Sequence, residues 1–322
     1  MARVVVIGTG FGERVVAPAY RQMGWTVDIC SPRDPQAIEA AVSEPCDLVS
    51  VHSPPFMHLD HVRLATAHKR NILCDKPFGR NLDEAREMLR LAREAGVLHH
   101  LNFEFRRSPL RLRIKELIES GAIGEPRHSS ERSLVAVARD YPHGWLFEKG
   151  KGGWIGTVGS HLVDMIRFLF GEVATAGGQS WIDTKRRPDK DASSGQVHES
   201  TAEDAFTAWL RLENGFTATI DSSFSASTWV DSTWLIMGEK GAIEVINSST
   251  LRLIRNGEPT VEEYYPIGED DPHQPAIGLW IEELGKAVLE GRQLQPSFED
   301  GVACVAVLDQ IRASADAVAA GR

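Results

Sequence analysis

The chain has 322 residues, which favours about two domains at roughly 150 residues each. Its 42% hydrophobic and 25% charged residues are typical of a folded globular protein and exclude disorder, collagen and coiled coil. With 35 basic and 45 acidic residues the formal net charge is −10, which opposes binding to nucleic acid or to an anionic membrane surface.

Cysteine spacing and hydropathy indicate the compartment. Cys30, Cys46, Cys74 and Cys304 are widely separated and form no C-x-x-C pair, which predicts reduced thiols packed in a cytoplasmic protein. The first apolar run stops at Gly8, and no stretch of about 18 apolar residues occurs. We therefore expect neither a standard export signal nor a membrane-spanning segment.

Short β-branched runs alternate with segments of helical periodicity through about residue 120, which predicts βαβ units and a buried parallel sheet. The predicted strands are 3–7, 26–30, 47–51, 71–74 and 97–102, and the predicted helices between them are 13–23, 35–43, 58–68 and 82–95. In the last helix apolar residues recur at three- and four-residue spacing, and Gly96 suits its C-terminal cap. The first part of the chain is thus predicted to be a doubly wound α/β domain of the Rossmann type.

The sequence pattern changes near residue 121. A further helix is predicted over 111–118, after which Gly121, Gly124 and Pro126 interrupt the chain and the apolar period becomes two. We therefore expect a dinucleotide-binding domain over 1–121 and an α+β domain with a mostly antiparallel sheet over 122–322.

The strongest hairpin signal surrounds Asn214-Gly215, a dipeptide that favours a tight primed turn. Alternating segments at 205–212 and 216–220 flank it, and one face of this hairpin is predicted to be apolar and to pack on a core: Phe206, Ala208, Leu210, Leu212, Phe216, Ala218 and Ile220. The other face, which carries Trp209, is open to a partner or substrate. Further strands are predicted at 128–137, 181–184, 233–237, 243–246 and 251–254, a solvated loop at 185–200, and helices at 277–289 and 298–319.

The first predicted strand runs directly into a glycine-rich turn, the context that a dinucleotide-binding motif requires. Gly8 permits the tight turn, Gly10 lets the backbone approach a pyrophosphate, and the following helix N-terminus offers N–H groups to the anion. Phe11 and Gly12 complete the predicted cofactor-binding turn. Glu13 stands where a third glycine is usual, so its carboxylate must point away from a bound phosphate.

The end of the second strand discriminates between NAD and NADP, because an acidic residue there binds the ribose hydroxyls and an arginine accommodates a 2′-phosphate. If Cys30 ends the strand, Ser31 stands at this position and Arg33 follows it, which favours NADP. A shorter strand would instead make Asp28 the ribose acceptor.

Polar residues follow the third and fourth predicted strands at their carboxyl ends, where open α/β sheets place ligands. Ser53, Pro54 and His58 follow the third strand, Asp75 and Lys76 follow the fourth, and all five are predicted to bind the cofactor. Lys76 is held stiffly before a proline, and its ammonium can polarise a carbonyl or stabilise an alkoxide during hydride transfer. Without further context, a lysine at a strand end is more commonly a surface residue.

A set of motifs makes the chain resemble the glucose-fructose oxidoreductase and inositol dehydrogenase family of NAD(P)-dependent enzymes. They are the glycine turn, Ser53-Pro54-Pro55-Phe56-Met57-His58, Asp75-Lys76-Pro77 in place of the common Glu-Lys-Pro, residues 116–125, Gly152-Gly153 through Gly159-Ser160-His161-Leu162-Val163-Asp164, residues 237–241 and residues 296–301. Their order and spacing cover nearly the whole chain. The resemblance implies a Rossmann domain followed by a large open-faced sheet, with substrate between them over the nicotinamide.

The resemblance implies an oxidoreductase that transfers hydride between NAD(P) and a secondary hydroxyl or ketone of a sugar, cyclitol or glycoside. It implies a homodimer or homotetramer through the C-terminal sheet. No metal is predicted, because strand alternation sends His99 and His100 to opposite faces and they form no metal signature with Glu104. By residue-wise transfer Lys76 is the catalytic lysine, His161 the catalytic histidine and Asp164, on the same helical face, a partner for a substrate hydroxyl. An imidazole can shuttle the hydroxyl proton near neutral pH. Arg106 and Asn102, after the fifth strand, are further substrate-binding candidates, with ordinary structural hydrogen bonding as the alternative.

One departure from the family concerns Thr157, where an aspartate usually pairs with the lysine and the histidine. A hydroxyl can bind substrate but supplies no negative charge, so Lys76 loses a partner that stabilises its cationic form; Asp164 or Asp75 can substitute electrostatically. The alternative function is a non-catalytic dinucleotide- and sugar-binding regulator of the same fold, which Thr157 favours. The retained lysine, His161 and Asp164 favour the enzyme.

Overall fold

The computed structural model describes residues 1–269 and 271–321, which form two units. One unit comprises Met1–Ser108 and Gly268–Ala306, and the other comprises Pro109–Ile267 and Val307–Arg322. This division differs from the single predicted boundary at residue 121, because the chain enters the second unit at residue 109 and later returns to the first.

The first unit contains a five-stranded parallel sheet. Its strands are β1 (Arg3–Ile7), β2 (Thr26–Cys30), β3 (Leu48–Val51), β4 (Ile72–Asp75) and β5 (His99–Asn102), in the order β2-β1-β3-β4-β5. Its first helices are α1 (Ala17–Gln22), which a π-helical turn at Gly12–Val16 precedes, α2 (Pro35–Ser43), α3 (His58–Ala67) and α4 (Leu82–Ala95). The predicted Rossmann sheet is confirmed, since apolar β1, β3 and β4 lie almost wholly inside the fold.

The second unit contains a larger, mixed sheet. In chain order its elements are α5 (Pro109–Glu119), β6 (Pro126–Leu134), α6 (Trp154–Thr157), α7 (Gly159–Phe170), β7 (Val173–Trp181), β8 (Arg186–Pro188), β9 (Val197–Glu199), β10 (Ala205–Leu212), β11 (Thr217–Ser223), β12 (Thr233–Gly238), β13 (Gly241–Ile246), β14 (Thr250–Arg255) and β15 (Val261–Tyr264). The sheet order is β15-β14-β13-β12-β6-β11-β10-β7. Only the β6–β11 pair among the described residues of this sheet is parallel, so the predicted mostly antiparallel character is confirmed.

The hairpin of β10 and β11 has the predicted faces, and all seven side chains of its apolar face are buried. Its turn differs from the predicted primed type. Asn214 keeps a negative φ, Gly215 has a φ of +88°, and the Gly215 N–H donates to the carbonyl of Leu212 at 3.0 Å. This is the geometry of an ordinary turn followed by a glycine bulge, a common alternative in hairpins.

The later part of the chain returns to the first unit through α8 (Ala276–Leu289), and α9 (Phe298–Ala319) follows it. α8 packs its apolar side chains, including the fully buried Trp280, into a core with β1 and α1. At the start of α9 the Asp300 carboxylate accepts the Ser297 N–H at 2.8 Å, which is one of the two hydrogen bonds of a capping box. The apolar period of the sequence predicts the helix α8, but it does not show that this helix packs in the core of the first unit.

Strand β7 was predicted at 181–184 and lies instead at Val173–Trp181. It contains Gly177 and Gly178, residues that strands disfavour, so its sequence carried a weak signal. The glycine is required here, because a Cβ at Gly177 would lie 2.7 Å from the indole of Trp209 on the paired strand. Side chains of α9 cover the outer edge of β7, with Ser314 accepting the Gly178 N–H at 3.0 Å.

The segment 185–200, predicted to be a solvated loop, contains the short pair β8 and β9. Arg187 in β8 is fully buried. The sequence predicted it to be solvated together with its basic neighbours Lys185 and Arg186. Strands β8, β9 and β15 were not predicted, because each is short and largely polar.

All four cysteines are free thiols, and three of them are buried. Among the described residues, none of the helices has both the length and the apolar character needed to cross a bilayer.

Candidate functional site

The glycine turn after β1 has the close packing that its sequence predicts. A Cβ at Gly8 would lie 2.7 Å from the carbonyl oxygen of His52, and one at Gly12 would lie 2.9 Å from the His52 Cβ, so both positions require glycine. At Gly10 no atom of the described residues, apart from its own neighbours in the chain, comes within 4 Å of the Cβ position, which leaves that backbone open to an approaching anion. Phe11 between them is half-buried. These features fit the pyrophosphate of a dinucleotide.

β2 ends at Cys30, which is the longer of the two strand ends considered in the sequence. The role of Ser31 in discriminating between the two cofactors stays a prediction. Asp28 lies within the strand, where its carboxylate pairs with the Arg3 guanidinium at 2.6 Å, so it is engaged away from the strand end. Arg33 is exposed, and its N–H donates to the Ser31 hydroxyl at 3.3 Å.

A buried hydrogen-bond network joins the carboxyl ends of β3, β4 and β5. Asp75 Oδ1 accepts the main-chain N–H of Lys76 at 2.9 Å and the Asn102 amide at 3.1 Å. Asp75 Oδ2 lies 2.9 Å from His52 Nδ1, and His52 Nε2 lies 2.8 Å from the Ser50 hydroxyl. The network fixes the main chain at Lys76, which precedes the cis peptide bond to Pro77.

The carboxyl group of Asp75 is ionised in this network. Burial alone raises its pKa, but the charge and hydrogen bond of His52, the charge of Lys76 and the amide of Asn102 outweigh that effect and lower the pKa to about 2. The carboxylate therefore places negative charge beside Lys76. His52 was not predicted as a site residue. Its position as a polar residue directly after a buried strand could have indicated it.

His58 holds the turn after β3 from inside the fold. Its ring is fully buried, with Nε2 at 2.7 Å from the Ser53 carbonyl and Nδ1 at 3.3 Å from the Phe78 carbonyl. Burial lowers the pKa of His58. The ring thus positions the turn that carries Ser53 and Pro54, while direct contact of these three residues with a cofactor stays a prediction.

The two candidates after β5 have structural partners. Asn102 is fully buried and donates to Asp75, as described above. Arg106 is also buried, and its guanidinium pairs with the Asp300 carboxylate at 2.9 Å. These contacts favour ordinary structural hydrogen bonding for both residues. Their role in substrate binding stays a prediction.

In the second unit the helices α6 and α7 carry the remaining candidates. His161 lies in the first turn of α7 and Asp164 one turn later, and both side chains are buried. The Thr157 hydroxyl at the end of α6 donates to the Gly153 carbonyl at 2.8 Å. Arg167, which was not predicted, has Nη1 at 3.9 Å from Asp164 Oδ1. The first unit therefore contains Lys76, Asp75 and Asn102. The second unit contains Thr157, His161 and Asp164.

Two family models match the chain. Residues 2–103 match the model of the oxidoreductase family with an NAD-binding Rossmann fold, and residues 112–244 match that of the GFO/IDH/MocA C-terminal domain. The levoglucosan dehydrogenase of Pseudarthrobacter phenanthrenivorans is 25% identical over 83% of this chain and 77% of its own. The inositol 2-dehydrogenase of Rhizobium meliloti is 25% identical over 96% and 88%.

A solved structure has the same fold. The levoglucosan dehydrogenase complex with NADH and levoglucosan superposes with a TM-score of 0.81 at 21% identity, covering 98% of this chain and 97% of that one. Such a likeness at low identity establishes the architecture, and it agrees with the two sheets described above.

Proposed function

Because the chain belongs to the GFO/IDH/MocA family of NAD-binding oxidoreductases, we propose that it transfers hydride between a nicotinamide cofactor and a secondary hydroxyl or ketone of a sugar, cyclitol or glycoside. The observation that carries the proposal is the glycine turn open at Gly10, together with ionised Asp75 fixing the main chain at Lys76. Relatives named for levoglucosan and for inositol, an anhydrosugar and a cyclitol, support the substrate class.

In the proposed oxidation each residue has a separate task. When bound, NAD⁺ or NADP⁺ accepts from the carbinol carbon the hydrogen with both electrons of its C–H bond. The Lys76 ammonium stabilises the oxygen as it gains negative charge, and His161 accepts the hydroxyl proton as the carbonyl forms. Asp164 hydrogen-bonds a second substrate hydroxyl, as the family resemblance implies. Reduction of the ketone reverses these transfers.

The function is tested by incubating the purified chain with NAD⁺ and, separately, NADP⁺ against levoglucosan, myo-inositol, methyl β-D-glucoside and D-glucose. We expect absorbance of reduced nicotinamide to appear with at least one of them. Tight cofactor binding without any reduction would contradict the enzyme and support the sugar-binding regulator, the alternative that Thr157 favours.

The residues after β2 support NADP as the preferred cofactor. Ser31 carries no charge that would repel a 2′-phosphate, and exposed Arg33 can approach one. We expect Ser31→Asp to weaken NADPH binding by about tenfold or more, because a carboxylate repels the phosphate, and to improve NADH binding. Fluorescence titration with both reduced cofactors measures this. Arg21→Ala, an exposed arginine on α1, is the control; unchanged NADPH affinity in Ser31→Asp would refute the preference.

The four free cysteines support a cytoplasmic location. The outward face of the second unit's sheet supports assembly as a homodimer or homotetramer. Trp209, Met237 and Ile254 lie on this face with 49%, 39% and 38% of their surfaces exposed. Apolar side chains of this size on one sheet face favour contact with a second copy. Light scattering of the intact chain and of Trp209→Glu measures the state, with a smaller species expected for the variant.

A further inference from the structure

His273 lies at the cofactor-binding edge of the first unit. Its ring contacts Phe11 edge-on, with centroids 4.8 Å apart, and stacks on Phe105 at 5.3 Å with an interplanar angle of 10°. Phe11 follows β1 and Phe105 follows β5, and β3 and β4 lie between these two strands in the sheet. A ring in contact with both phenylalanines therefore lies across the carboxyl ends of β3 and β4, which lead into His52 and Lys76. Ligands of open α/β sheets bind at this edge.

A buried carboxylate orients the imidazole. Glu104 Oε1 lies 2.5 Å from His273 Nδ1, and the side chain of Glu104 is fully buried while 22% of the His273 side chain is exposed. A carboxylate that accepts the Nδ1–H fixes the rotation of the ring and directs Nε2 away from Glu104. The main-chain N–H of His273 also donates to Asp271 Oδ1 at 2.9 Å, which holds the segment.

This combination is the arrangement of a ligand-binding histidine. Two aromatic rings and a buried carboxylate hold the imidazole, although it lies on a segment outside the regular strands and helices. An imidazole nitrogen held in one orientation can hydrogen-bond an alcohol, and a polyol presents several hydroxyl groups. A histidine that only filled space between the two phenylalanines would not need a buried charged partner, whose desolvation is costly.

We propose that His273, oriented by Glu104, is a substrate-binding residue whose Nε2 accepts a hydrogen bond from a polyol hydroxyl beside the nicotinamide, which rests on the function proposed above. The residue selects substrates that carry a hydroxyl next to the reacting carbon. Losing one hydrogen bond of this kind weakens binding by about tenfold, and the loss falls on KM rather than on kcat.

The test uses the intact chain and three polyols, levoglucosan, myo-inositol and xylitol, with NADH for the binding measurements and NAD⁺ for the kinetics. His273→Asn is the main variant, because its amide can still donate to Glu104 while Nε2 is absent. Imidazole ¹⁵N resonances of His273, assigned by their loss in His273→Asn, should shift when a polyol is added to the NADH-saturated protein. KM for the polyol should rise about tenfold in His273→Asn with little change in kcat, and less in Glu104→Gln.

His68→Gln is the matched control, because His68 also pairs with a glutamate, Glu39 at 2.9 Å, but on the surface. Thermal melting compares the folding of all variants with the parent chain. Polyol binding with unmoved His273 resonances and an unchanged KM would overturn this assignment alone. Binding of NADH or NADPH without binding of any polyol would contradict both this assignment and the proposed function, and failure to bind either reduced cofactor would contradict the proposed function first.

Discussion

Lys76→Met should lower kcat by about 10²- to 10³-fold while the affinity for NADH changes by less than about tenfold. Methionine keeps most of the length of the side chain but removes the ammonium that stabilises the developing negative oxygen. Ground-state binding of the cofactor depends mainly on the glycine turn, so it should survive. Steady-state kinetics with the best polyol of the panel and fluorescence titration with NADH measure the two quantities.

Two further variants test whether the loss of kcat is specific to Lys76 and to the charge beside it. Lys286→Met removes a lysine of the same unit that is 62% exposed on α8, and it should leave kcat unchanged. Asp75→Asn keeps the shape of the network around β4 but removes its charge, so we expect a smaller loss of kcat than for Lys76→Met. If Lys76→Met kept the kcat of the parent chain, the chemistry proposed for this lysine would be wrong.

The sequence predicted the parts of the candidate site that depend on local pattern. Gly8, Gly12 and Asp75 stand at junctions between a buried strand and the following turn, and such junctions are recognisable from a β-branched run that ends in glycine or a charged residue. The pair of Glu104 and His273 was not predictable in this way, because its members are 169 residues apart in the chain. Only the return of the later segment to the first unit brings them together.

The difference between local pattern and contacts distant in the chain also explains which strands were predicted correctly. The parallel strands and the β10–β11 hairpin were predicted because each has a strong apolar period of its own. Strand β7 was misplaced because Gly177 serves the indole of Trp209 on another strand, a requirement that its own sequence does not display. The burial of Arg187 was missed for a similar reason, since a basic triplet in a polar segment is normally solvated and its partner Asp204 is not adjacent.

Arg187→Met should lower the free energy of unfolding of the protein by about 3 to 5 kcal/mol. The guanidinium is fully buried, donates to Asp204 Oδ2 at 2.9 Å and to the Ser225 hydroxyl at 2.8 Å, and lies 3.5 Å from the centroid of the Phe147 ring. Asp204 in turn accepts the main-chain N–H of Asp183 at 2.6 Å. Removing the arginine leaves this buried carboxylate without its cation, which is the main source of the expected loss. Chemical denaturation monitored by tryptophan fluorescence measures it.

Arg186→Met is the matched control, because the neighbouring side chain in β8 is 76% exposed and should change the unfolding free energy by less than about 0.5 kcal/mol. The double variant Arg187→Met with Asp204→Leu should be more stable than Arg187→Met alone, since it buries no uncompensated charge. Equal stability of Arg187→Met and Arg186→Met would mean that the buried pair contributes nothing to the fold. A double variant as unstable as Arg187→Met would instead place the loss in the missing hydrogen bonds to Ser225 and the neighbouring carbonyls, and not in the unpaired carboxylate.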